Sequence, residues 1–122
     1  MTLRELFDRV RAIPGAAADE DMMLTWLNDC EGVIFEEILS AREGCDREAF
    51  DGYGEEDMEA VLMARDPYSV LYVYFLAAQI YLSYADMARY NNYLALYHDA
   101  YDEFAGYYAR HHRQKANVEV KL

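Results

Sequence analysis

The sequence predicts an all-α fold: a four-helix bundle-like single domain with an acidic irregular insert between helices 2 and 3 and a mobile basic C-terminal tail. Three observations predict it. Apolar residues recur at intervals of three and four through most of the chain, the spacing of one helix face. Six Gly and two Pro among 122 residues leave few turns, so the elements are long. Helix-start signals stand before each apolar run. The length suits one domain, read as a helical part over 1–112 and a tail over 113–122.

Helix 1 is expected from Leu3 to Ala12. Thr2 and Glu5 form a capping box, each side chain satisfying a backbone N–H near the other. Leu3, Leu6, Phe7, Val10 and Ile13 make its apolar stripe, and Pro14 with Gly15 ends it. Helix 2 is expected from Glu20 to Arg42, with Asp19 as N-cap and Glu20 and Asp21 on the positive end of the dipole. Met23, Trp26, Leu27, Cys30, Val33, Ile34 and Ile38 form its buried stripe, which leaves Glu31, Glu36, Glu37 and Glu43 mostly in solvent. Gly44 is a natural stop.

Periodicity is lost from Cys45 to Arg65, an acidic stretch read as an excursion over the surface; residues 61–63 are compatible with a short extended piece. Asp66 and Pro67 mark a helix start, the first as cap and the second at the first helical position. Helix 3 then runs to Tyr84 and is apolar nearly all round, so it needs cover on most sides, which a neighbouring subunit can complete. Asp86, Asn91 or Asn92 is the candidate cap of helix 4, which runs to His112. No Pro or Gly forces a break there, so one continuous helix also fits. Tyr90, Tyr97, Phe104 and His111 recur at intervals of seven, a packing stripe.

Charge is unevenly distributed. The chain carries 23 acidic and 11 basic residues, net −12. Residues 14–64 hold fifteen acids against Arg42 and Arg47, whereas 109–122 hold four basic residues against Glu119. This balance argues against a phosphate-backbone binder and against docking on an anionic membrane by charge. Residues 67–85 are uncharged and long enough to span a bilayer, but five Tyr with Ser69, Gln79 and Ser83 favour burial by protein instead. Cys30 and Cys45 make no disulfide scaffold and no CxxC, which suits reduced thiols in a cytoplasm.

Catalytic and metal motifs are absent from the sequence. There is no GxGxxG, P-loop, HEXXH, Glu-x-x-His or G-x-S-x-G, so neither a cofactor nor catalytic residues are assigned. His98 and Asp102 stand four apart on one face, a spacing compatible with one metal, though a solvated pair is the plainer reading and no metal ligand is assigned. Glu55, Glu56, Asp57 and Glu59 lack EF-hand spacing and read as acidic surface. Eleven of the twelve tyrosines lie between Tyr68 and Tyr108, more than a small core needs. Tyrosine combines apolar area with a hydroxyl that tolerates a wet edge, which favours interfaces. The interface candidates are Tyr74, Tyr81, Tyr84, Tyr93, Tyr97, Tyr101, Tyr107 and Tyr108, with Arg110, Arg113 and Lys115 of the basic end.

The run from Asp66 to His112, with its DPY start, LYVYFLAAQI, RYNN and EFAGYY, resembles small helical head–tail connector proteins of tailed phages and prophages of Gram-positive hosts. These are also classed as adaptor or head-completion proteins. Preceding helices and the acidic insert extend the likeness over nearly the whole chain. Tyr84 and Ala85 stand where Gly or Asn is expected between the last two helices. The resemblance implies a non-catalytic virion subunit, made in the host bacterial cytoplasm, that joins a homo-oligomeric ring below the portal protein. Such a ring meets tail or head-completion proteins, and DNA passes through it without specific binding. Two other classes fit the residues: a helical protein–protein adaptor or assembly or regulatory module of a prophage, and, less well, a metal-binding enzyme using His98 and Asp102.

Overall fold

The computed structural model describes residues 1–45 and 47–115 and is all-α. Its helices are α1 (Leu3–Arg11), α2 (Glu20–Ile34), α3 (Val70–Ser83) and α4 (Met87–His111). A single π-helical turn (Phe35–Leu39) extends α2, and a short 3-10 turn (Glu55–Asp57) lies in the insert. Among the described residues no helix is long and apolar enough to cross a membrane.

Local chemistry sets the ends of α1 and α2. The Thr2 hydroxyl accepts from the Glu5 N–H at 3.2 Å, and the Thr2 N–H donates to the Glu5 carboxylate at 3.0 Å. Asp19 caps α2 by accepting from the Met22 N–H at 2.8 Å. Leu3, Leu6, Phe7 and Val10 are buried, as are Met23, Leu27, Cys30 and Ile34. Each such aliphatic or aromatic side chain contributes roughly 1.5–3 kcal/mol through its removal from water.

Helix 2 departs from the expected run to Arg42. The α-helix ends at Ile34, and the Ser40 N–H reaches the Phe35 carbonyl at 2.8 Å, one residue further than an α-helix allows. That wide turn keeps Phe35, Ile38 and Leu39 all buried. Trp26 is half-buried and Val33 exposed, while Glu31, Phe35 and Leu39 are buried, so the buried stripe is shifted from the expected one. Gly44 has φ +98°, and a Cβ there would stand 2.5 Å from the His112 ring, so this position requires glycine twice over.

The larger correction is Glu31. Expected in solvent, it has no accessible surface. The insert is correspondingly not a simple surface excursion, because Tyr53, Leu62 and Ala64 are buried and anchor it in the core. Residues 58–62 run beside the N-terminus, where Val61 forms a single antiparallel bridge with Thr2. The Leu3 and Arg4 N–H groups donate to the Ala60 and Met58 carbonyls, and the Leu62 N–H donates to the Met1 carbonyl at 2.9 Å.

Helix 3 begins at Val70 rather than Pro67. The Asp66–Pro67 peptide is cis, and residues 66–69 are turns in which the Tyr68, Leu71 and Tyr72 N–H groups already find the Arg65, Tyr68 and Ser69 carbonyls. Asp66 accepts from the Ser69 hydroxyl instead of capping a backbone N–H. The cover that α3 needs comes from its own chain: α1, α2 and α4 all pack on it, α4 most extensively. Leu71, Tyr72, Leu76, Ala77, Ala78, Ile80 and Tyr81 are buried. An over-apolar α3 is therefore no argument for a neighbouring subunit.

A turn does separate α3 from α4. The Asp86 N–H donates to the Tyr81 carbonyl at 2.9 Å and the Ala85 N–H to the Leu82 carbonyl at 3.0 Å, a Schellman cap. Ala85 takes the left-handed position, φ +58°, that glycine usually fills. Asp86 then caps α4 through the Arg89 N–H. The first residues of the tail are held rather than mobile. The Glu43 N–H donates to the Arg113 carbonyl at 2.8 Å, the Lys115 N–H donates to the Ala41 carbonyl at 3.1 Å, and the Arg42 guanidinium reaches the Ala109 and His112 carbonyls. The rest of the expected tail, 116–122, lies outside the described residues.

Candidate interaction surface

The antiparallel α3–α4 hairpin is seamed by aromatic rings. Tyr81 stacks on Tyr93 with centroids 5.6 Å apart, and Tyr74 meets the same ring at 6.4 Å. Phe75 meets Tyr97 at 5.1 Å. Tyr68 stacks on Tyr107 at 4.6 Å and meets Phe104 at 5.8 Å. Such pairs are worth about 0.5–1.5 kcal/mol each beyond area burial. The seven-residue recurrence on α4 is thus mainly an internal packing stripe, with Tyr97 and Phe104 buried, Tyr90 half-buried and His111 exposed.

This seam divides the tyrosine candidates. Tyr81, Tyr97 and Tyr108 are buried within the chain itself, which leaves them little exposed surface. The Tyr81 hydroxyl donates to the Pro14 carbonyl at 3.0 Å. The Tyr97 hydroxyl lies 3.8 Å from the Cys30 thiol, and burial raises the pKa of both groups. Cys30 is accordingly a core thiol. Tyr101 is half-buried and donates to Glu37. Tyr74, Tyr93 and Tyr107 are half-buried, while Arg110, Arg113 and Lys115 are exposed.

One end of the hairpin remains apolar and open. Leu82, Tyr84 and Met87, grouped around the α3–α4 turn, are 42%, 55% and 49% exposed. The Tyr84 hydroxyl donates to the Ala17 carbonyl, which fixes its ring against the α1–α2 connection. Beside this tip, Tyr74, Tyr81 and Tyr93 line a cleft of about 570 Å³ with Pro14, Arg89 and Leu96. The Arg89 guanidinium sits 5.6 Å from the Tyr81 ring centre and is paired with Asp86 at 3.1 Å. Tyr74, Tyr84 and Tyr93 are therefore the tyrosine candidates that this surface brings together. Tyr107, Tyr108 and the basic residues lie at the other end.

Sequence reasoning missed the principal polar site. Glu31 accepts from the Tyr53 hydroxyl at 2.7 Å, the Tyr72 hydroxyl at 2.5 Å and the Met63 N–H at 2.9 Å. The Tyr72 oxygen in turn accepts from the Ala64 N–H at 2.8 Å. Burial pushes the Glu31 pKa up, against the opposing effect of those three donors and of the Arg47 charge. Burial and the adjacent carboxylate also raise both phenols, so they remain protonated donors. The cluster joins α2, the insert and α3, and among the described residues no buried side-chain polar atom is left unpaired.

His98 and Asp102 are both exposed, and among the described residues no group of three or more His, Cys, Asp and Glu side chains is arranged to hold a metal. Comparison with known protein families, curated proteins and solved structures returns no match.

Proposed function

We propose that this chain is a structural subunit of a phage head–tail connector, joining a ring below the portal for DNA passage and tail attachment. The observation that carries the reading is the exposed tip of the α3–α4 hairpin, Leu82, Tyr84 and Met87 beside the tyrosine-lined cleft. The hairpin is built from the same residues, 66–112, that carry the connector resemblance. Its half-buried tyrosines give a neighbour apolar area and hydroxyl groups at little entropic cost. An acidic body, with Asp99, Asp102 and Glu103 exposed on α4, repels DNA and keeps it mobile in a channel. The basic residues Arg110, Arg113 and Lys115 offer charge complementarity to the acidic body of a second copy in a closed ring. The chain then belongs to the virion, and to the host bacterial cytoplasm during assembly.

The test is affinity capture of the tagged chain from its own cells after prophage induction, with retained proteins identified by mass spectrometry. Portal, capsid or tail peptides enriched over an untagged control are the expected result. An induction that releases virions without enriching any of them overturns the reading.

A further inference from the structure

At the end of the hairpin opposite the apolar tip, the insert, the 66–69 turn and the last turns of α4 border a half-open cavity of about 350 Å³. Its volume is that of a small-ligand site. Two chemistries line it. Tyr68, Phe104, Tyr107 and Tyr108 are its aromatic residues, and Arg47 and Arg65, both exposed, are its arginines. Among the described residues neither arginine makes an ion pair within 4 Å, unlike Arg4, Arg11 and Arg89. Asp66 also lines the cavity, but its carboxylate is engaged by the Ser69 hydroxyl and lies 3.6 Å from the N-terminal ammonium.

The walls are held in place. Tyr68 is stacked on Tyr107, and Met63, which borders the cavity, has its N–H bonded to buried Glu31. His112, also in the lining, stacks on Tyr108 with centroids 3.7 Å apart and lies against Gly44. A planar ring entering the cavity meets aromatic side chains. A carboxylate on that ring finds the planar fork of an arginine, whose geometry matches two oxygens. A chain of net charge −12 repels anions in general, so affinity for one has to be local.

We propose that this cavity binds a small aromatic carboxylate of one or two fused rings, with Arg47 and Arg65 on the carboxylate and Tyr68, Phe104 and Tyr107 against the ring. The site lies at the end opposite the apolar tip that carries the connector reading, and does not depend on that reading.

The experiment is an amide-detected NMR titration of the full chain with 2-naphthoate, with its neutral isostere 2-naphthamide, and with acetate. The expected result is saturable shifts around Tyr68, Phe104 and Tyr107 with 2-naphthoate, at least tenfold weaker binding of 2-naphthamide, and none of acetate. Arg47→Gln and Arg65→Gln each weaken 2-naphthoate severalfold, and together at least tenfold, with unchanged circular dichroism. Arg9→Gln, on α1, leaves binding as it was. Equal affinity for acid and amide, saturable shifts confined to other surfaces, or no saturable shift at millimolar 2-naphthoate overturns the proposal.

Discussion

At Glu31, two phenols and one backbone amide converge on a carboxylate that has no contact with solvent. Replacing the carboxylate removes partners from buried donors, and each unsatisfied donor costs about 1–3 kcal/mol. Glu31→Gln keeps the shape but presents an amide nitrogen where one oxygen accepted, so it is expected to lose about 2 kcal/mol. The pH dependence has a definite sign. Burial raises the Glu31 pKa, so the folded state retains a proton that the unfolded chain releases. Its contribution is whole below the ordinary carboxylate range and declines as pH rises through that range toward the folded value. Glu5 and Asp66 act oppositely. Hydrogen bonds from Thr2 and from Ser69 lower their pKa values, so their contributions are present above the ordinary range and fade as pH falls. Subtracting the urea-unfolding curve of Glu31→Gln from that of the parent between pH 4 and 8 isolates the Glu31 contribution. The difference is expected to shrink as pH rises from the acid end; a difference independent of pH counts against a raised pKa.

Among the elements, the turn between α3 and α4 carries a removable strain. Ala85 occupies the left-handed region at φ +58°, where a Cβ costs roughly 1–2 kcal/mol. The Schellman bonds from Asp86 and Ala85 to the Tyr81 and Leu82 carbonyls hold it there. Its side chain is exposed, so Ala85→Gly loses no packing. The variant is expected to gain about 1 kcal/mol, visible as a raised thermal midpoint with an unchanged helical spectrum. An unchanged or lowered midpoint contradicts the strain. This turn also marks a limit of sequence reading. The four helices were legible because their stripes and caps are local signals, and the capping box of Thr2 and Glu5 is the plainest case. The α3–α4 break was legible only as a choice, Asp86 among three candidate caps or one continuous helix, because its stop is made by backbone bonds and not by a glycine. Glu31 carried a signal that went unused: it lies between Leu27 and Ile34 at helical spacing, on the buried face. Its partners Tyr53 and Tyr72 are 22 and 41 residues away, and no periodicity announces such a pairing.

For the whole molecule, the two ends of the hairpin are chemically unlike, and that separates what assembles from what merely folds. Part of the tyrosine excess is spent inside, on the seam that joins α3 to α4. The apolar tip is what remains outside, and it can be altered without touching the core, because Leu82 and Met87 are each more than 40% exposed. The double variant Leu82→Glu, Met87→Glu is therefore expected to keep the parent's circular dichroism and thermal midpoint. At an interface, the same changes remove two apolar anchors and bring two carboxylates beside an already acidic chain. A loss of about 2 kcal/mol per anchor weakens association on the order of 1000-fold. The measurement is capture of portal, capsid or tail proteins by the variant beside the parent in the same induced cells. Loss of capture with the fold intact assigns the interface to the tip. Capture that survives this variant but is lost on replacing Arg110, Arg113 and Lys115 by Gln moves the interface to the basic end, where charge rather than apolar area joins the subunits.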